Sequence, residues 1–123
     1  MNLNFTHVTD TGLKELRKLE GLQSLSLAET GVTDEGLSQL IELKGLQELN
    51  LSDTMVTDEG LKGLRDFKGL RYLDLGGTGV TDAGLKELKG LTDLQYLDLV
   101  ATKVTVAGVA ELQKARPKLR IGR

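Results

Sequence analysis

An α/β solenoid, with a parallel sheet along one side and short helices opposite, is the fold class predicted by three features of this sequence. The tripeptide Val-Thr-Asp returns every 24 residues, at Val8, Val32, Val56 and Val80, and Val-Thr-Val opens in the same register at Val104. Each interval holds three large apolar residues spaced by three, and each holds a Leu-x-Leu pair. A fixed period of about 20 to 29 residues marks stacked units, each too small to bury its apolar face alone.

The chain opens on Met1-Asn2-Leu3, which aligns with Leu25-Ser26-Leu27, so residues 1–7 form a partial unit that begins with a bare strand. Repeats follow at 8–31, 32–55, 56–79 and 80–103, and residues 104–123 close a single domain. Within a repeat the helical stripe comes first: Leu13, Leu16 and Leu19, then Leu37, Leu40 and Leu43, then Leu61, Leu64 and Phe67, then Leu85, Leu88 and Leu91. A spacing of three puts each trio on one face of an α or 3₁₀ turn. The strand comes next, as Leu25/Leu27, Leu49/Leu51, Leu73/Leu75 and Leu97/Leu99, whose alternation turns the leucines inward. Strand stacked on strand gives a parallel sheet. The closing unit keeps a helix and a last strand, with Leu112 to Leu119 two residues shorter than Leu88 to Leu97. There Pro117 fits a terminating turn, and Arg116, Lys118, Arg120 and Arg123 charge the edge against further pairing.

Two polar columns and two glycine columns recur. Thr6, Thr30, Thr54, Thr78 and Thr102 follow the strands, where a hydroxyl can bond the turn backbone of its own and adjacent repeats; they read as a structural ladder. Asp10, Asp34, Asp58 and Asp82 precede the helical stripes and read as helix N-caps, each contributing about 1 kcal/mol. A metal reading of these carboxylates fails, because neighbours in the column lie a whole repeat apart and no histidine accompanies them. Gly12, Gly36, Gly60, Gly84 and Gly108 fall inside the helix starts at a cost of up to about 1 kcal/mol each, which close approach between repeats would offset. Gly21, Gly45 and Gly69 sit where the helical segments must end.

The pattern Leu-x-x-Leu-x-Leu-x-x-Thr-x-Val-Thr-Asp-x-Gly-Leu resembles the leucine-rich repeat, and its Thr-Asp-x-Gly-Leu element is most similar to the cysteine-containing class and its bacterial relatives. The resemblance covers essentially the whole chain. It departs from the family in placing Thr where the ladder is usually Asn or Cys, and in a repeat about two residues shorter than that of ubiquitin-ligase substrate receptors. The resemblance implies a right-handed horseshoe or arc with its sheet on the concave face and its helices on the convex face. It also implies that the concave sheet binds a protein partner.

Composition narrows the function classes. With 39% hydrophobic and 28% charged residues the chain is of ordinary globular make-up, and a net charge of −2 lacks the basic excess that phosphate contacts require. Nucleic acid and membrane surfaces are therefore not expected as partners. No apolar run approaches the length of a span and Met1 to Thr6 has no leader character, so a cytoplasmic location is the default expectation. Cysteine is absent, which removes disulfides and thiol chemistry. His7 is the single histidine and has no carboxylate or serine partner in view. The run Leu73-Asp-Leu-Gly76-Gly77-Thr-Gly79 only weakly resembles a phosphate cradle. Other repeats place Ala28-Glu29, Ser52-Asp53 and Val100-Ala101 at the same positions, as though the backbone there does not demand glycine. No catalytic residue, metal ligand or cofactor site emerges, and the chain reads as a non-enzyme.

What varies between repeats is then where function is to be sought. The outward strand positions and the loops after them carry Glu29, Glu48, Asn50, Asp53, Arg71, Tyr72, Asp74, Tyr96 and Asp98, the candidate binding face. Tyr72 and Tyr96 should stack across about 4.8 Å of strand spacing, with Asp74 and Asp98 alongside. Aromatic rings beside carboxylates suit a basic peptide, through cation–π contact and charge-assisted hydrogen bonds. The preferred expectation is a non-catalytic module binding a protein or peptide on its concave sheet. A structural or consensus-like scaffold without a ligand, and a recognition fragment of a larger ubiquitin-ligase-like or effector protein, are the alternatives. Self-association through the uncapped N-terminal edge is a further expectation.

Overall fold

The computed structural model describes residues 1–123. Strands β1 (Ser24–Ser26), β2 (Glu48–Asn50), β3 (Tyr72–Asp74), β4 (Tyr96–Asp98) and β5 (Arg120–Gly122) form one parallel sheet in sequential order. Helices α1 (Asp10–Leu16), α2 (Asp34–Ser38), α3 (Asp58–Leu61), α4 (Asp82–Leu85) and α5 (Val106–Ala115) lead into them, with 3₁₀ turns Lys62–Asp66 and Lys86–Leu88 extending α3 and α4. The result is an α/β repeat solenoid. Every strand pairs with the residue 24 further on: Leu25 with Leu49, Leu49 with Leu73, Leu73 with Leu97 and Leu97 with Ile121. The closing repeat is therefore not shortened. Ile121, not Leu119, takes the strand position, and Leu119 is the buried residue that precedes it.

Leucines, together with Val32, Val56, Val80, Val104 and Phe67, make one continuous core of 27 buried residues, with Leu49, Leu51, Leu73 and Leu75 fully enclosed. At the N-terminal edge Asn2 bridges Ser26, and the Leu3 amide donates to Ser26 O at 2.9 Å. Phe5 is 72% exposed at this end, and Leu3, Val8, Leu16 and Leu22 are only partly covered.

Two features of the repeat differ from the sequence expectation. Asp10, Asp34, Asp58 and Asp82 are the first helical residues and not the caps; Thr9, Thr33, Thr57 and Thr81 hold the extended conformation of an N-cap. The Thr33, Thr81 and Thr105 hydroxyls accept from a helical amide at 3.1–3.3 Å. The aspartates reach into the next repeat instead. One oxygen of each accepts from the following threonine amide at 2.7–2.9 Å, and the other from the same threonine's hydroxyl. The Thr105 bonds hold the Asp82 carboxyl below the usual carboxylate range. This bracket explains the glycine column. A Cβ on Gly36, Gly60, Gly84 or Gly108 would meet the preceding repeat's aspartate Oδ1 at 2.0–2.4 Å, whereas one on Gly12 would meet nothing closer than 3.9 Å. Nothing crowds Gly21 or Gly69, and neither has a positive φ, so the structure gives no reason for glycine there.

The second difference lies just past each strand. Phe5, Glu29, Asp53, Gly77 and Ala101 all adopt φ of 54–69°, the left-handed region, so this column does favour glycine although only Gly77 supplies it. Turning the chain there aims the amides of residues 5, 29, 53 and 77 at the next repeat's carbonyls, with distances of 2.8–3.1 Å. One residue later each ladder threonine donates to the leucine carbonyl three residues before it, at 2.6–2.7 Å. The hydroxyls of Thr6, Thr30, Thr54, Thr78 and Thr102 thus close their own turns, and at these turns the bonds to the next repeat are made by the backbone.

Candidate functional site

Because side chains alternate along a strand, burying Leu49, Leu73 and Leu97 turns the flanking residues onto the open face of the sheet. Register then fixes two rows across it. One runs Ser24, Glu48, Tyr72, Tyr96, Arg120, and the other Ser26, Asn50, Asp74, Asp98, Gly122. The two tyrosine rings stack with centroids 5.3 Å apart and planes 8° from parallel. Room for the second ring comes from Gly122, where a Cβ would lie 2.8 Å from the Tyr96 hydroxyl. That hydroxyl donates to Asp98 Oδ2 at 3.3 Å.

The second row has a structural duty. Asn50, Asp74 and Asp98 each accept, through Oδ1, the amide two residues ahead: Ser52, Gly76 and Val100 at 2.8–2.9 Å. These Asx turns lead the chain into its left-handed residue. They occupy one oxygen of each carboxylate; the second oxygen of Asp98 accepts from the Tyr96 hydroxyl, and no backbone amide claims that of Asp74. Beside them Asp53, Asp74 and Asp98 line an open recess of about 230 Å³ over Gly76 and Gly77. Here repeat three has no side chains where the neighbouring repeats carry Ser52 and Val100. Burial pushes the Asp74 carboxyl up, the charges of Asp98 and Asp53 push it further, and the Gly76 amide opposes them. Tyr72 is raised chiefly by burial and Tyr96 chiefly by the charge of Asp98, so both phenols keep their protons near neutrality. A recess with this lining repels phosphate, which removes the cradle reading of Gly76-Gly77; it attracts a cation.

Of the remaining candidates, Glu48 flanks Tyr72 in the first row and accepts from the Ser24 hydroxyl at 3.0 Å. Asn50 adjoins Asp74, but Glu29 lies two repeats from the centre of the recess and does not line it. Arg71 is separated from the group altogether, in a different cavity at the rim where the chain enters the strands. Of the glycines that shape the face, the sequence marks Gly76 only through its weak likeness to a phosphate cradle, and Gly122 not at all. Gly122 becomes legible only once Ile121 is put in register with Leu97.

A family model described as "Leucine Rich repeat" matches residues 22–40, 46–64 and 70–89. Among solved structures, a Leptospira interrogans LRR protein is similar over 89% of this chain and 27% of its own length, with 26% identity and a TM-score of 0.68. Internalin C2 from Listeria monocytogenes is similar over 88% of this chain and 44% of its own, with 28% identity and a TM-score of 0.68. An internalin (inlF) of the same species covers 98% of this chain and 39% of its own; at 19% identity and a TM-score of 0.64 it bears on the fold alone. The chain thus spans less than half the length of each of these structures. No curated protein sequence matches it.

Proposed function

This chain belongs to the leucine-rich repeat family, and from that premise we propose that it is a non-catalytic interaction module whose open sheet face takes a protein or peptide bearing an exposed basic side chain. One observation carries the reading: three carboxylates, Asp53, Asp74 and Asp98, surround the Gly76-Gly77 recess, and the Tyr72–Tyr96 stack stands beside it. A lysine or arginine head entering the recess would trade water for the carboxylate oxygens, while its stem lies against a ring face. The rings are already stacked, so little rotamer freedom is lost on binding.

The competing reading is a scaffold without its own ligand. It draws on the Asx turns, which account for Asp74 and Asp98 without a partner. Asparagine separates the two, because Asn50 makes the same turn without charge. In calorimetry against blocked peptides of graded charge, Arg- or Lys-bearing peptides are expected to bind the native chain. The Asp74→Asn/Asp98→Asn variant should keep its circular dichroism and thermal midpoint but lose at least tenfold in affinity, about 1.4 kcal/mol. Equal affinity of native and variant chains would discard the site. The raised Asp74 titration adds a sign. A bound cation favours the ionised carboxylate, so affinity should fall as pH drops through the raised Asp74 range, where the carboxylates of Asp53 and Asp98 face it and Tyr72 and Tyr96 keep their protons.

A further inference from the structure

At the opposite rim, where the chain enters β3 to β5, an open cavity of about 530 Å³ brings together Arg71, Gln95, Arg116 and Lys118 with a single acid, Asp93. Three cations at one cavity are unexpected in a chain of net charge −2. None of them is ion-paired; the ion pairs of the chain are Lys18–Glu15, Lys62–Glu59 and Arg65–Glu87. Arg116 is fixed in place, its guanidinium donating to the carbonyls of Leu91, Thr92 and Leu94. Those acceptors are neutral, so its charge stays uncompensated and immobile at the cavity wall. Arg71 and Lys118 are exposed and supply free donors, one a planar fork and the other a point charge. Edge protection, the role the sequence suggests for Arg116 and Lys118, does not account for Arg71, which belongs to repeat three.

The surroundings select the anion. A polyanion lying on this corner would run into Glu48, Asp74 and Asp98 on the adjoining face, so only an isolated negative group is accommodated. We propose that the Arg71/Arg116/Lys118 cavity binds one acidic side chain of the same polypeptide whose basic side chain enters the Gly76-Gly77 recess. The inference rests on the reading of the sheet as a protein-binding face, and it makes the ligand dipolar. Arg71 and Gly76 are five residues apart along an extended chain, about 16 Å at a strand's rise per residue. A matching ligand carries its acid and its base about five residues apart in extended form.

Amide chemical-shift titration of the full chain tests this with blocked glycine peptides carrying one Glu, one Arg, or a Glu and an Arg five residues apart. The Glu peptide is expected to shift the amides of Asp93, Gln95 and Lys118, and the Glu–Arg peptide to shift these together with Gly76, Gly77 and Val100. The Glu–Arg peptide should bind at least fivefold more tightly than its Glu→Gln counterpart, and Arg71→Gln/Lys118→Gln should bring that ratio to near one. Arg65→Gln, at a paired cation elsewhere, should leave the ratio unchanged. Equal binding of the Glu and Gln peptides to the native chain overturns the proposal. So does a response to inorganic phosphate alone with none to the Glu peptides, which would assign the cavity to a free oxyanion. The Arg peptide reads the acidic recess by itself, so failure there is seen separately from failure at this cavity.

Discussion

At five positions spaced by 24 residues the backbone turns through the left-handed region, yet Phe5, Glu29, Asp53 and Ala101 all pay a steric cost that only Gly77 escapes. Non-glycine residues in this conformation are disfavoured by about 1–2 kcal/mol. Ala101→Gly should therefore stabilise the chain by up to about 1 kcal/mol, read as a rise in thermal midpoint. Gly77→Ala should do the reverse and more, since its new Cβ would lie 2.0 Å from the Asp53 carboxylate. An unchanged midpoint in both variants would show that the turn is not strained. The column was hard to see in the sequence because three of its five occupants, Phe5, Glu29 and Ala101, are of types that seldom take a positive φ. The caps, by contrast, were legible in principle. Thr105 persists in the copy where Val106 replaces the aspartate, which marks threonine as the residue the helix start requires.

At the scale of the element, the helix start is a joint between repeats. The preceding aspartate fills the space above Gly60, where a Cβ would meet Asp34 Oδ1 at 2.4 Å and Leu37 Cδ2 at 3.2 Å. Gly60→Ala is expected to destabilise by about 1–3 kcal/mol in urea titration. Gly12→Ala, with nothing nearer than 3.9 Å, should be neutral or gain up to about 1 kcal/mol from helix propensity. Removing the obstacle in an Asp34→Ala background should shrink the Gly60→Ala penalty, a coupling that a double-mutant cycle measures. Additive losses would rule out the joint. The sequence placed the aspartates and glycines correctly in their columns but could not connect them, because an aspartate, the threonine 23 residues on that it brackets and the glycine just beyond become neighbours only when the repeats stack. Strand identity was clearer. Alternation around each buried leucine settled which residues face outward, and the stacked Tyr72 and Tyr96 lie where that alternation puts them.

For the whole molecule, one core runs through all the repeats, so stability should depend on position along the array. Leu49→Ala and Leu73→Ala open holes at fully enclosed sites and are expected to cost about 2–5 kcal/mol each, measured by urea unfolding. Leu16→Ala, at a half-covered site near the N-terminal edge, should cost less. Equal losses at all three would contradict a graded core. The period announced this architecture directly, but not the division of charge across it. The acidic recess and the basic cavity occupy opposite rims, and each draws residues from more than one repeat, so no single copy of the motif displays either. The aspartate joints also have a meaning for ancestry. Each internal repeat gives one carboxylate forward and receives one, so duplicating or deleting a block of twenty-four codons within the array leaves every carboxylate with a receiver. A shift by a number that is not a multiple of twenty-four leaves a carboxylate facing the wrong residue, and a gene that lengthens by unequal exchange would be held to that step by the chemistry of its own seams.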